Sequence, residues 1–140
     1  MFSQSRVNDI AAVATASNIP LAALLAVVEV ESAGAPFEPD GVTPRFLFER
    51  HVFFRQLRNF PRKQGAALSK GIARPSYSKT NYKDQGTAMG RRRLLDAAIE
   101  IDREAAFSSA SWGLGQVMGF HAKSMGYGSA STMVQAMSSD

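Results

Sequence analysis

Two carboxylates close an otherwise apolar segment: Glu29 and Glu31, in the string VEVESAG from Val28 to Gly34. Glutamate is rarely buried without a partner, so their placement asks for a reason. If the segment is helical, residues two apart point about 200° away from one another. Glu31 then shares a stripe with Leu24, Val27 and Val28, and Glu29 shares one with Ala22, Leu25 and Ala26. Either carboxyl would leave the helix amid apolar side chains, surroundings that favour the protonated acid. An acid kept protonated near neutral pH is what glycoside hydrolysis uses to protonate its leaving group. The other reading is a pair of helix-end carboxylates ion-paired to Arg45 or Arg50. Spacing alone leaves both open.

A second carboxylate would complete such a site, and Asp40 in the string PDG and Glu49 in FERH are the candidates. A separation of about 5–5.5 Å from the acid suits a retaining route and about 6.5–9.5 Å an inverting one. Asp40 lies just beyond the helix that carries Glu31, as an inverting base would, yet an aspartate before a glycine is also an ordinary turn residue. Glu49 could instead tie its segment to the core through Arg50 or His51. Downstream, SWGLGQ offers sugar contacts. Trp112 is either a stacking face or a core aromatic. Glycines such as Gly113 let backbone approach a sugar closely, and the Gln116 amide both donates and accepts. Ser32 could hydrogen-bond nearby backbone or the carboxylate, or only cap its helix. His51 and His121 have no metal-ligand spacing with other acids, so no metal and no cofactor is expected.

These groups need elements to hold them. Apolar periodicity predicts helices over Ser5–Ala16 and Pro20–Ala33, the second apolar nearly all round, as in a helix buried in the core. Gly34 supplies its stop. The stretch GAPFEPDGVTPRFLF reads as a small β-hairpin flap. A short helix follows over Glu49–Asn59, then a long loop from Phe60 to Gly86. Thr87 caps a helix over Ala88–Ala105. The glycines of the next stretch suggest a turn entering a helix near Gln116 and leaving it at Gly126. A last helical piece, Ser129–Met137, puts Met133, Val134 and Met137 on one face.

The 140 residues fit one domain, residues 1–140, and 45% hydrophobic content suits a packed globule. With no cysteine, a disulfide framework is excluded. The N-terminal stretch has Arg6, Asn8 and Asp9 where an export signal would have an unbroken apolar run. The run Pro20–Val28 is too short to span a bilayer, so no membrane insertion is expected. Charge is uneven: between Arg45 and Arg93 there are 13 Lys+Arg against two acids. Such a middle is either a solvated basic face or a surface for polyanions, whether nucleic acid or an anionic envelope. The aromatics in this region lack the spacing of a base-stacking platform, so nucleic acid is not expected as the partner.

The string ESAG, followed by FEPDGVTPRFLFERHVFF and then SASWGLGQVMGF, closely resembles the N-acetylmuramidase endolysin domain of phages and prophages. The resemblance runs from about Ile10 to Met137. More distantly, the Glu-Ser pair and the later Gly-Leu-x-Gln are similar to goose-type lysozymes and lytic transglycosylases. It implies a lysozyme-like fold, mainly α (α+β), with a small β-hairpin flap, and bacterial peptidoglycan as substrate. It makes Glu31, the glutamate before the serine, the catalytic acid. It also implies synthesis in the bacterial host cytoplasm and action at the cell wall. The family domain continues past the position of Asp140 with closing helices. The chain is therefore expected to lack that C-terminal part and to expose its Met133/Val134/Met137 face, which would favour self-association. Peptidoglycan hydrolase, lytic transglycosylase and non-catalytic wall-binding remnant are the readings carried forward.

Overall fold

The computed structural model describes residues 2–33 and 35–138, apart from the Ser32 side chain. Its described residues form seven α-helices and one three-stranded antiparallel sheet, the mainly helical α+β class expected. Helix α1 (Gln4–Ala16) starts where the Ser3 hydroxyl accepts the Arg6 N–H, and α2 (Leu21–Ser32) follows Pro20. The two helices pack on each other, and Ile10, Ala14 and Val28 are their buried residues.

The expectation of a buried α2 is overturned. Val27 is 55% and Val30 81% exposed; among the described elements α1 makes the main contact with α2. The left-handed residue that ends α2 is Ala33, with φ 50°; the expected stop at Gly34 lies outside the described residues.

A flap runs from residue 36 to 45, closed by the Phe37–Pro44 bridge and by Arg45 N–H to Pro36 O at 2.9 Å. Strand β1 (Phe46–Phe48) pairs with β2 (Ala110–Trp112), and β2 with β3 (Val117–Met118). The free edge of β1 is closed by side chains. The Gln85 amide accepts from Phe48 N–H at 2.9 Å and donates to Phe48 O at 2.8 Å, so one side chain does the work of a fourth strand.

Beyond β1 come α3 (Arg50–Gln56) and α4 (Pro61–Ser69). The second corrects the reading of 60–86 as a loop: Pro61 sits in the first turn, where its missing N–H costs nothing. The helix expected over Ala88–Ala105 is two, α5 (Ala88–Ile101) and α6 (Arg103–Ser108). They part at Asp102, which is extended and whose carboxylate accepts from Ala105 N–H at 2.9 Å, capping α6. The helix expected from Gln116 to Gly126 is instead the β2–β3 hairpin and a 3-10 turn at Gly119–His121. Gly113 and Gln116 both hold positive φ in its turn, which a helix could not contain.

Helix α7 (Ala130–Ser138) packs on α6, capped by Glu104, which accepts Ala130 N–H at 2.5 Å and the Ser131 hydroxyl at 2.8 Å. Its methionine face is not exposed: Met133 is 0% accessible and Val134 is buried in the main core. The surface expected to drive self-association is thus already covered by α6 and the 3-10 turn. The core itself is aromatic, with Trp112 between Phe46 and Phe107 at centroid distances of 5.1 and 5.4 Å.

Candidate active site

Glu31 stands in the last turn of α2, and it and Glu29 are both exposed. The apolar burial expected around them is absent because α2 itself is uncovered. Among the described residues no ion pair joins either to Arg45 or Arg50. The Ser32 side chain lies outside the described residues.

Asp40 occupies the tip of the flap. Its Oδ1 accepts the N–H groups of Val42 at 3.0 Å and Thr43 at 2.8 Å, and its Oδ2 accepts the Thr43 hydroxyl at 2.5 Å. These bonds, the Thr43 hydroxyl first, hold its carboxyl below the ordinary value of 3.8. Next to it in sequence, Gly41 takes φ 71°, the left-handed conformation the turn requires. The flap is pinned from below by Glu38. Its carboxylate takes a fork from Arg91 of α5, Nε to Oε1 at 2.8 Å and Nη2 to Oε2 at 2.5 Å, with side chains only 7% and 10% exposed. Beside the flap lies a cavity of about 230 Å³ lined by Glu38, Asp40, Phe46, Met89 and Arg92 among others. The structure thus sets an ionised carboxylate on a fixed turn at the rim of a cavity.

Glu49 faces elsewhere. Its Oε2 accepts the Tyr82 hydroxyl at 2.5 Å and lies 3.4 Å from His51 Nδ1. Burial, then this bond to Glu49, pushes the Tyr82 hydroxyl well above its usual range. His51 lies beside Glu49 without a hydrogen bond to its Nδ1 among the described residues, and no tie to Arg50 forms: that guanidinium forks onto Asp84 at 2.9 and 2.6 Å.

The SWGLGQ string contributes less to a sugar site than its residue types suggest. Trp112 is 1% exposed, its indole N–H donating to Phe107 O at 2.9 Å. It is the core aromatic and has no face for a sugar. Gln116 Nε2 donates to Gly113 O at 2.9 Å and its Oε1 accepts the Ser111 hydroxyl at 2.8 Å. Its amide thus clasps the hairpin, and Gly113 donates its N–H to Arg45 O at 2.8 Å. The expected substrate contacts of Trp112, Gly113 and Gln116 are therefore largely occupied by structure. Conversely, sequence reasoning missed Glu38, Arg91 and Gln85, whose buried bonds position the flap and β1. Glu38 and Arg91 are 53 residues apart, and no local pattern links them. Among the described residues, no group of three His, Cys, Asp or Glu could hold a metal, and no helix is long and apolar enough to cross a membrane.

Residues 20–140 match the family model of N-acetylmuramidase. Among solved structures, the crystal structure of Burkholderia AP3 phage endolysin is similar, with a TM-score of 0.78 and 36% identity. The match covers 96% of this chain and 49% of that one, so the chain spans about half the length of that endolysin. No curated protein matches it.

Proposed function

The chain belongs to the N-acetylmuramidase family, and we propose that it cleaves the β-1,4 bond between N-acetylmuramic acid and N-acetylglucosamine in peptidoglycan. Glu31 is the general acid: it gives its proton to the glycosidic oxygen as the sugar takes on oxocarbenium character, which makes that oxygen a better leaving group. The observation that carries this reading is the contrast between two carboxyl groups. Asp40 has three donors that keep it ionised, whereas Glu31 is exposed, with no ion pair among the described residues. One carboxyl is fixed on a hydrogen-bonded turn and the other stands open at a helix end, the two-carboxylate division of roles that glycoside hydrolysis uses.

In this scheme Asp40 faces the sugar as a carboxylate and orients water, or stabilises positive charge on the ring. A second reading is favoured by the same bonds. A carboxylate that already accepts three protons' worth of hydrogen bonding is a weak base, which suits transglycosylation by the substrate's own hydroxyl. Glu49 then acts as a positioning residue for the Tyr77–Tyr82 segment rather than as a base. In the same reading the protein is made in the bacterial cytoplasm and acts on the wall.

Digestion of purified peptidoglycan by this chain and by Glu31→Gln, with products identified by mass, tests the proposal. Soluble muropeptides with reducing MurNAc ends, absent with the variant, are expected for a hydrolase. Anhydro-MurNAc ends would move the reading to a lytic transglycosylase. Folded protein that releases nothing would reduce it to a wall-binding remnant.

A further inference from the structure

The fold gathers part of the basic middle of the chain around a concavity of about 450 Å³ lined by the start of α5, Arg50 of α3 and residues just beyond α4. Its walls carry three cations, Arg50, Lys70 and Arg93, against one carboxylate, Asp84. Arg50 and Asp84 neutralise each other. The guanidinium forks onto both Asp84 oxygens, and its Nε and Nη1 also donate to the carbonyls of Gly71 and Asn81. The Arg50 hydrogen bond is also what holds the Asp84 carboxyl below its ordinary range, so Asp84 stays ionised and engaged.

Lys70 and Arg93 are left over. Among the described residues neither has a carboxylate partner, and the Arg93 guanidinium reaches only the Met89 thioether, at 3.2 Å. Thr87, on the same wall, uses its oxygen to accept the Gly90 N–H at 3.0 Å, which leaves its hydroxyl proton free to donate. The lining therefore combines a surplus of two positive charges with a neutral donor, on a floor made by Ile72 and Leu94. An anion in the groove would meet two cations that lack a counter-charge among the described residues.

We propose that this groove, which adjoins the flap cavity at Met89, is a docking site for a phosphate monoester dianion. Its charge matches the surplus of two. Its oxygens accept from the ammonium, from the guanidinium fork and from the Thr87 hydroxyl, the donor set that phosphate recognition uses. The group can come from a soluble phosphorylated sugar or from a lipid headgroup; the chemistry at the site is the same.

Calorimetric titration of the chain with inorganic phosphate, in chloride buffer at constant ionic strength, tests the site. Saturable one-site binding is expected, weakened roughly tenfold or more in Lys70→Ala/Arg93→Ala because both charged donors are lost. Arg62→Ala/Lys79→Ala removes the same net charge from exposed positions outside the groove and should leave binding unchanged. All four residues are exposed, so each variant keeps the fold, checked by its thermal midpoint. Cosedimentation with phosphatidylcholine vesicles containing phosphatidic acid separates the sources. Pelleting that the Lys70→Ala/Arg93→Ala variant loses supports a lipid phosphate, and phosphate binding without pelleting supports a soluble ester. Absence of saturable phosphate binding overturns the proposal. So does an equal loss in both double variants, which would reduce the effect to bulk charge.

Discussion

The Glu38–Arg91 fork gives the sharpest test of how the flap is held. Arg91→Met keeps most of the side-chain volume and removes the charge. Glu38 is then a carboxylate 7% exposed, left with the Phe46 N–H at 3.4 Å as its remaining bond. The Gln85 carbonyl also loses its donor, at 3.0 Å. Breaking a buried pair from one side costs about 3–5 kcal/mol, against a total of about 5–15 kcal/mol for a domain. The midpoint of thermal unfolding should therefore fall by about 10–20 °C. In Glu38→Met/Arg91→Met no buried charge remains. Only the Gln85 carbonyl and the Phe46 N–H are left unsatisfied, so most of the loss should return, to within about 1–3 kcal/mol of the parent. Urea melts of the parent, both single variants and the double variant read the cycle directly. The reasoning fails if Arg91→Met costs less than about 1 kcal/mol, or if the double variant is no more stable than Arg91→Met.

Three further outcomes follow from particular contacts. Thr43→Val removes the bond that does most to keep Asp40 acidic. The Asp40 pKa should rise towards its ordinary value, so the acidic limb of the pH–rate profile for muropeptide release should move to higher pH. An unmoved limb would mean that ionised Asp40 has no part in the rate. Trp112 is the chain's one tryptophan and is buried, so its emission should be blue-shifted, resistant to iodide and unchanged by saturating muropeptide. A ligand-dependent shift would contradict its placement in the core. Gly65 and Gly90 both sit inside helices, with opposite consequences. A Cβ on Gly65 meets nothing within 4 Å, so Gly65→Ala should stabilise by about 0.5–1 kcal/mol. A Cβ on Gly90 would stand 1.9 Å from the Asp84 carbonyl oxygen, so Gly90→Ala should cost about 1–3 kcal/mol in the same urea melts.

What the sequence made legible was mostly local. The Thr87 cap, the amphipathic α5 and the Asp40-Gly41 turn follow from rules that act over a few residues, and they appear where expected. The Asp102 cap between α5 and α6 was equally local but was masked by continuous apolar periodicity on both sides of it. Pro61 was read as a loop marker when its place in a first turn made it a helix starter. What could not be read was set by distance along the chain. The burial of α2 depends on what packs against it, and an apolar helix looks the same in sequence whether it is covered or not. The partners Glu38 and Arg91 are charged residues whose types give no sign of pairing, and each alone reads as a solvated surface group.

The string SWGLGQ shows how a motif that carries a family resemblance can also carry the fold. Each of its distinctive residues answers a demand of the hairpin. Trp112 fills the core between Phe46 and Phe107. Gly113 and Gln116 supply the positive φ values of the turn, and the Gln116 amide ties that turn to Ser111. Replacing any of them would disturb the sheet that carries β1, and β1 leads directly out of the flap that presents Asp40. Glu31 is held differently, by a helix with few contacts and in a conformation that needs no special residue. The side chains of this string are engaged by the hairpin, whereas the proposed acid stands exposed at a helix end. The resemblance points to Glu31 through the Glu-Ser pair, and the scaffold then says where that carboxyl and Asp40 stand.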